Sequence, residues 1–480
     1  RRHLPSRSPV TLVVCSGAMS KMPFAGSGSD GKLLAVQEED QPRRRHTDAE
    51  VPGERSPFNS RRSKSGDEVL ARRERRSNIL VPPMQLAELY MLQAEQRHLD
   101  KKGLSEKELL APWDGDGSRW HATGRPRPTP LGCEAASEAA FSRRGLFLRP
   151  STDKRAEELL DQCGACALNQ KGLKDATDFT LGQDNFCIAL LEGGWEVYGV
   201  FDGHGPGGHW PSFRAARSLP LFLQRGACAA MIRQGRLDAA LIWAFEQVQQ
   251  DLIQAAWPPG QPKPTCSLPF AGCTGVCMLR HPSKRSLWVA HVGDSRAVLV
   301  APGLGAARET EDHKPSVPSE RLRIEQNGCE VRQQTFEDGL SEDRIYIKGR
   351  PYPGIMMTRS LGDLLVKDKG VIATPEVTEW PLDSCEGGVV ALASDGLWEF
   401  VSSGEVAELI LGCRAQGQGL DAVAERLAAN AQALWEEKEP GYCDDITVLL
   451  LALDGPGLRP VRRTGPPKPE TSCASFCSVQ

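Results

Sequence analysis

No run of eighteen apolar residues occurs in this 480-residue chain, so no segment is long enough to cross a bilayer as a helix. A dominant charge is also missing. The formal net charge is −4, which gives no global pull toward nucleic acid or an anionic membrane. The fifteen cysteines lack a repeated spacing, and most sit inside apolar or helical stretches; this excludes a disulfide framework and fits reduced thiols in a cytoplasmic or nuclear protein. Cys163 and Cys166 have the spacing of a redox pair or half a zinc site, but no second pair or nearby His completes a tetrahedral set. They read as structural or incidental cysteines. The sequence starts without Met, and the short apolar stretch 10–15 is too brief for a signal peptide, so the start reads as a fragment or a processed end. What is present, 40% hydrophobic and 25% charged residues, suffices for one large domain or two ordinary ones with a buried core.

Residues 1–80 carry 16 Lys or Arg against 10 Asp or Glu, broken by Gly, Ser and Pro without a sustained period of 2 or 3.6, and read as a disordered basic region. Its clusters at 61–64 and 72–77 suit a nuclear import signal, a kinase target or an anionic contact, with a solvated linker as the plainer reading. Residues 81–160 are expected to hold short helices and a linker packed on the main domain. Leu86, Leu89, Tyr90 and Leu92 lie among helix formers, Ser105 and Glu108 have capping-box spacing, and the Pro and Gly residues of 112–132 break the pattern. Residues 456–480, Pro-rich and basic, are expected to be a disordered tail. Their ending Cys477-Ser478-Val479-Gln480 has the outline of a prenylation signal, with Ser where an aliphatic residue is preferred.

Between 165 and 455 the composition changes. Strands are expected at 186–191, 195–201, 274–279, 287–292, 297–300, 389–393 and 446–451, and helices at 213–224, 237–256, 318–326, 403–411 and 420–435. The strands do not alternate one-for-one with helices, and those of 274–300 adjoin directly. This favours an antiparallel sheet system covered by helices over a doubly wound parallel one. Surface loops are expected at 256–272 and 334–352.

Acidic residues punctuate these strands. Asp202 follows an apolar run and precedes Gly203, His204 and Gly205; Asp395 follows another; Asp444 precedes a third. Glycine beside such a carboxylate lets a backbone carbonyl approach an oxygen-loving ion as closely as the carboxylate does. If the strand ends converge, the set suits two divalent ions and in-line phosphoryl hydrolysis, although any one Asp-Gly pair is also an ordinary turn.

Taken in order, Val200-Phe201-Asp202-Gly203-His204-Gly205, Gly272-Cys273-Thr274-Gly275, Val292-Gly293-Asp294-Ser295-Arg296, Asp312-His313-Lys314-Pro315, Ser360-Leu361-Gly362-Asp363, Ser394-Asp395-Gly396-Leu397-Trp398 and Asp444-Asp445-Ile446-Thr447 resemble the metal-dependent Ser/Thr protein phosphatases of the PPM (type 2C) family. The resemblance spans about 165–455. It implies an α+β fold, a four-layer αββα sandwich of two antiparallel β-sheets flanked by helices. It also implies Mg2+ or Mn2+ as cofactor, two ions per active site with a weaker third, and phosphoserine or phosphothreonine proteins as substrates; no nucleic-acid partner is expected, and the protein reads as a monomer.

By the same resemblance Asp202 bridges the metals, and Gly203 contributes its carbonyl. Asp395 and Asp444 are further ligands, Asp184 organises water on the metal, and Asp294 serves the third ion. Glu399 stands where the family often has a second acidic residue. A hydroxide between the metals would attack phosphorus without a phospho-enzyme, and His204 would protonate the leaving oxygen. Arg296 is expected in an internal ion pair and Asp363 in a supporting role. Family members generally carry a basic phosphate-gripping residue near the early Asp, but here an extra stretch, 175–182, intervenes. Lys174 is the choice for that role and Lys171 the alternative, with two solvated lysines as the plain reading. A catalytically silent or autoinhibited phosphoprotein-binding module and a small-metabolite phosphatase are the competing functions.

Overall fold

In the computed structural model residues 103–113, 118–125, 145–149, 160–174, 180–256, 267–335 and 341–459 are described. The expectations for 1–80, for the helix near 84–99 and for the tail beyond 459 lie outside these residues. Eighteen strands are formed among them: β1 (Trp120–Arg125), β2 (Gly145–Arg149), β3 (Ala165–Gln170), β4 (Asn185–Leu190), β5 (Glu196–Phe201), β6 (Gly203–His204), β7 (Gly272–Cys273), β8 (Gly275–Arg280) and β9 (Ser286–Val292) in the first half. The second half adds β10 (Arg296–Ala301), β11 (Gly305–Glu309), β12 (Cys329–Thr335), β13 (Ser341–Ile347), β14 (Pro353–Ile355), β15 (Leu361–Gly362), β16 (Glu376–Pro381), β17 (Val389–Ala393) and β18 (Ile446–Ala452).

Two antiparallel sheets dominate, one ordered β16-β9-β8-β5-β4-β1-β2 and the other β11-β10-β17-β18-β3. Their central strands read as unbroken apolar runs because both faces are buried. In β17, Val390 and Leu392 face the core between the sheets, whereas Val389, Ala391 and Ala393 face an outer core; β18 divides Leu449 and Leu451 from Ile446, Val448 and Leu450 in the same way. The inner core also takes Ile188, Tyr198, Val200, Met278 and Leu299.

Helices His209–Leu223 and Leu237–Ala256 cover the first sheet through Leu219, Leu241, Phe245 and Val248, packed on Cys187, Phe201 and Cys277. Helices Ser403–Ala415 and Leu420–Lys438 cover the second through Ile410, Leu427 and Trp435. The αββα order implied by the resemblance is therefore the one observed. A smaller unit of helix Pro318–Gln326 with β12, β13 and β14 closes over Ile324, Ile345 and Ile355.

Two expectations are corrected. The stretch 334–352 is not a loop throughout: β12 and β13 pair from Cys329 opposite Ile347 to Thr335 opposite Ser341. Of the polar residues that suggested a loop, Glu342 and Asp343 are partly exposed, whereas Arg344 is completely buried and donates to the Gly354 carbonyl at 2.9 Å. Nor is 112–132 only a linker, because β1 pairs with β4, His121 opposite Ala189 and Ala122 opposite Ile188, and β2 pairs with β1 outside it. Trp-His-Ala-Thr-Gly-Arg has little strand character of its own, and its partner across the sheet decides its state. The sheet thus takes in residues well before 165. The capping box at Ser105 and Glu108 is present and starts a short helix, Glu106–Leu110.

Trp120 is completely buried and its indole N–H donates to the Arg459 carbonyl at 2.8 Å, so β1 ties the two ends of the domain together. Trp120→Ala is expected to destabilise the protein by about 3–5 kcal/mol. Urea unfolding would show a lowered midpoint at similar slope; an unmoved midpoint would mean that β1 lies outside the cooperative core.

Candidate active site

Antiparallel register gathers the site. In the β4–β5 pair Asn185 lies opposite Phe201, so Asp184 just before β4 and Asp202 just after β5 emerge at one end. β17 and β18 pair Ala393 with Val448, which places Ser394 and Asp395 beside Asp444 and Asp445. β3 pairs Gln170 with Ile446, and a bridge between Leu173 and Cys443 carries this edge onward to Lys174. Hydrogen bonds then peg the two sheets together: the Ser394 hydroxyl donates to Asp184 Oδ2 at 2.5 Å, and Asn169 Nδ2 donates to the Asp184 carbonyl at 3.0 Å. Buried Asp445 accepts the backbone N–H groups of Gly172 at 2.7 Å and Gln183 at 2.6 Å.

The electrostatics of this edge are unfavourable by themselves. Burial pushes the carboxyls of Asp184 and Asp202 well above their usual range, and neighbouring carboxylates push them further: Asp445 and Asp444 act on Asp184, and Asp395, Asp184 and Asp444 on Asp202. Asp395 is pushed up to about 7 by burial, then by Asp444 and Asp294. Among the described residues, Asp184 Oδ1, Asp202 Oδ2, Asp294 Oδ1 and Asp395 Oδ1 are buried without a hydrogen-bond partner. No group of three or more His, Cys, Asp or Glu side chains already stands in ligating arrangement among the described residues. The donor set nevertheless fits hard divalent cations. Several buried, mutually repelling carboxylate oxygens with unused acceptor capacity are what Mg2+ or Mn2+ would relieve.

Lys174 Nζ pairs directly with Asp444 Oδ1 and lies 3.4 Å from the Tyr442 hydroxyl, which itself donates to Asp444 Oδ2 at 3.2 Å. In this arrangement the ammonium neutralises a candidate metal ligand. Lys171 is buried, with its Nζ 3.4 Å from the Gly172 carbonyl. Asp294 follows β9, and burial raises its carboxyl even though Lys314 approaches Oδ2 at 3.8 Å. Glu399 is exposed one helical turn after Asp395, its backbone N–H bonded to the Asp395 carbonyl at 2.8 Å. Arg296 makes the expected internal pair, a two-pronged contact with Asp312 at 3.0 and 2.9 Å.

His204 comes from a separate small sheet, β15-β7-β6. Its Nε2 lies 2.9 Å from Asp363 Oδ2, both side chains are buried, and its Nδ1 has no hydrogen-bond partner among the described residues. Gly203, between Asp202 and His204, cannot carry a side chain: a Cβ there would stand 2.2 Å from the Gly208 carbonyl oxygen and 2.6 Å from that of Gln183.

The family profile described as Protein phosphatase 2C matches residues 164–438. The chain belongs to the protein phosphatase 2C family. A curated relative, "Probable protein phosphatase 2C 64" of Oryza sativa subsp. japonica, is 34% identical over 265 residues, covering 54% of this chain and 58% of the relative. "Probable protein phosphatase 2C 72" of Arabidopsis thaliana is 33% identical over 272 residues, covering 54% of this chain and 76% of the relative. The chain thus spans less than two thirds of the rice protein's length. Among solved structures, a serine-threonine phosphatase 2C from Toxoplasma gondii is 22% identical with a TM-score of 0.49, covering 60% of this chain and 94% of that one.

Within this 2C-family site, sequence reasoning missed three contributors: Asp445, which anchors two backbone segments, the Ser394 hydroxyl on Asp184, and Tyr442 on Asp444. The doubled acid Asp444-Asp445 was the available signal for the first. Tyr442 had none.

A carboxyl whose folded value is raised stabilises the fold fully below its unfolded value, and that contribution is lost as pH rises through the folded value. For Asp395 the loss runs across the interval from its ordinary 3.8 up to about 7. Protein kept in chelator is therefore expected to melt at higher temperature near about pH 5.5 than near about pH 8. Added Mn2+ should flatten the difference, and Asp395→Asn should reduce it. A chelated protein that gains stability between these pH values would contradict the assignment.

Proposed function

We propose that the chain hydrolyses phosphoserine and phosphothreonine in proteins with Mg2+ or Mn2+. The observation that carries the reading is the row of buried, mutually repelling carboxylates with unpaired oxygens, whose Asp294 feels the charge of His204. Asp202, Asp395, Asp444 and the Gly203 carbonyl would hold two cations, with Asp184 orienting water beside them and Asp294 and Glu399 serving a weaker third. Divalent cations, when bound, supply Lewis acidity and positive charge for in-line displacement at phosphorus.

The chain's own groups do the rest. Buried Asp184, held by Ser394 through Oδ2, keeps Oδ1 without a hydrogen-bond partner among the described residues and so has an acceptor to offer water. His204 holds a proton at Nδ1 for the departing Ser or Thr oxygen, whose alkoxide is a poor leaving group without it. Lys174 balances Asp444, and its ammonium, with three donors, would grip a phosphate oxygen of the substrate beside that carboxylate. Protein phosphoresidues are favoured over a small metabolite by the family to which the chain belongs.

The test is phosphate release from a phosphothreonine peptide by the full chain with Mn2+ or Mg2+. Excess chelator should abolish release, and Asp202→Asn should lower it by at least about a hundredfold with the fold retained. Release indifferent to chelator, or an unimpaired Asp202→Asn, would overturn the metal reading. A folded, metal-binding protein without release would favour the silent phosphoprotein-binding module.

A further inference from the structure

We propose that Asp363 is a positioning residue for His204, held in place by Ser360, Lys367 and the bare backbone of Gly272, and that it decides which imidazole nitrogen carries the transferable proton. The inference rests on the general-acid reading of His204.

Three strands build the contact. Gly272 in β7 lies opposite His204 in β6 on one side and opposite Gly362 in β15 on the other. A Cβ on Gly272 would stand 2.3 Å from Asp363 Oδ2 and 2.4 Å from the Leu361 carbonyl oxygen. The residue between the two strands must therefore be glycine for the imidazole and the carboxylate to meet across it. Asp363 itself adopts left-handed backbone angles, φ 48° and ψ 49°, a conformation unfavourable for a residue with a Cβ and one that persists only where its surroundings enforce it.

Those surroundings are specific. Ser360 Oγ donates to Asp363 Oδ2 at 2.5 Å, and Lys367 Nζ lies 2.5 Å from the Ser360 carbonyl oxygen and 3.1 Å from its hydroxyl. The Asp363 N–H bonds the Ala271 carbonyl at 3.0 Å, which fixes its backbone against the segment that carries Gly272. Burial alone would raise the Asp363 carboxyl; the charge and hydrogen bond of His204, with Lys367 and Ser360, outweigh it and keep the group ionised. A plain buried ion pair would need neither the backbone strain nor the missing side chain at Gly272.

The consequence is a fixed proton location. The carboxylate accepts the His204 Nε2–H, which leaves Nδ1 to donate. As the phosphorus–oxygen bond breaks, its electron pair stays on the departing oxygen and the Nδ1 proton moves there. The imidazole becomes neutral, and the water consumed in hydrolysis returns a proton to Nδ1. Asp363 keeps its charge throughout and acts on the reaction only through the ring, as an orienting carboxylate does in other acid–base pairs.

The experiment compares a phosphothreonine peptide with 4-nitrophenyl phosphate, whose leaving group needs little protonation, using the full chain with Mn2+. His204→Gln comes first: a much larger loss on the peptide supports the general-acid reading, and equal losses sink that reading and this inference with it. Asp363→Asn should then lower kcat on the peptide by about a hundredfold with KM within about twofold, and by about tenfold or less on the aryl ester. Combined with His204→Gln, it should add almost nothing on the peptide, because the two residues act as one unit.

If His204→Gln shows the selective loss but a folded, Mn2+-binding Asp363→Asn loses nothing, or loses equally on both substrates, Asp363 is a structural carboxylate and the inference fails alone. Should Asp363→Asn not fold, Ser360→Ala, which removes one hydroxyl, carries the test. It should give about a tenfold loss confined to the peptide, and an equal loss on both substrates or none overturns the proposal.

Discussion

Repulsion among buried carboxylates at one edge of the sandwich is the interaction around which the remaining structure is arranged. Neighbouring carboxylates raise Asp184, Asp202 and Asp395 beyond what burial alone does, Asp445 and Asp444 acting on Asp184, Asp395 and Asp184 on Asp202, and Asp444 and Asp294 on Asp395, and each retains an oxygen without a partner among the described residues. A loop could not hold such an arrangement, because the carboxylates would swing apart into water. Here each is attached within a residue or two of a strand whose neighbours are fixed by ladder hydrogen bonds and by apolar layers on both faces. Raised carboxyls clustered in this way mark a candidate functional site.

The cations that the chain does supply are distributed unevenly. Lys174 sits on Asp444 and Lys314 near Asp294, at two sides of the carboxylate row, while Arg296 is absorbed by Asp312. Burial works against the charge of both lysines, yet the surrounding carboxylates hold both ammonium groups above their ordinary range. The chain thus supplies charge at the flanks and leaves unpaired acceptor oxygens in the middle. His204 sits at the Asp294 end of this row, on a three-stranded element held by close backbone approach and by Cys273 and Leu361, which pack into the outer core.

The cooperative unit is longer than the segment that matches the family profile. Residues 164–438 match, but β18 and the last turns up to Arg459 are needed to complete the second sheet and to cap the first. Before the match, β1 lines the sheet beside β4, Trp113 enters the outer core, and Asp251 binds Arg214 while accepting the Leu104 N–H at 2.7 Å. Glu196, buried at the start of β5, accepts the Leu458 N–H at 2.6 Å and the Tyr198 hydroxyl at 3.1 Å, so the far pole of the sandwich is closed by the chain's last described residues.

The sequence alone determined the central strands, the long helices and the identity of the acidic and histidine residues, because apolar runs buried on both faces, helical periodicity and Asp-Gly motifs are local signals that survive in one dimension. β5, β8, β9, β10, β17 and β18 and the helices Leu237–Ala256 and Pro318–Gln326 were readable within a residue or two for that reason. Only the tertiary structure decided that Trp120–Arg125 is a strand, since its pairing with β4 outweighs its weak propensity, and that the polar stretch near 341–347 is one too. It also decided the partners. Lys174 turns to Asp444, Asp445 pins two backbone segments, and Asp363 meets His204 across a glycine, 159 residues apart in sequence. Such contacts depend on register between distant strands, a property of paired chains that no single stretch of residues encodes.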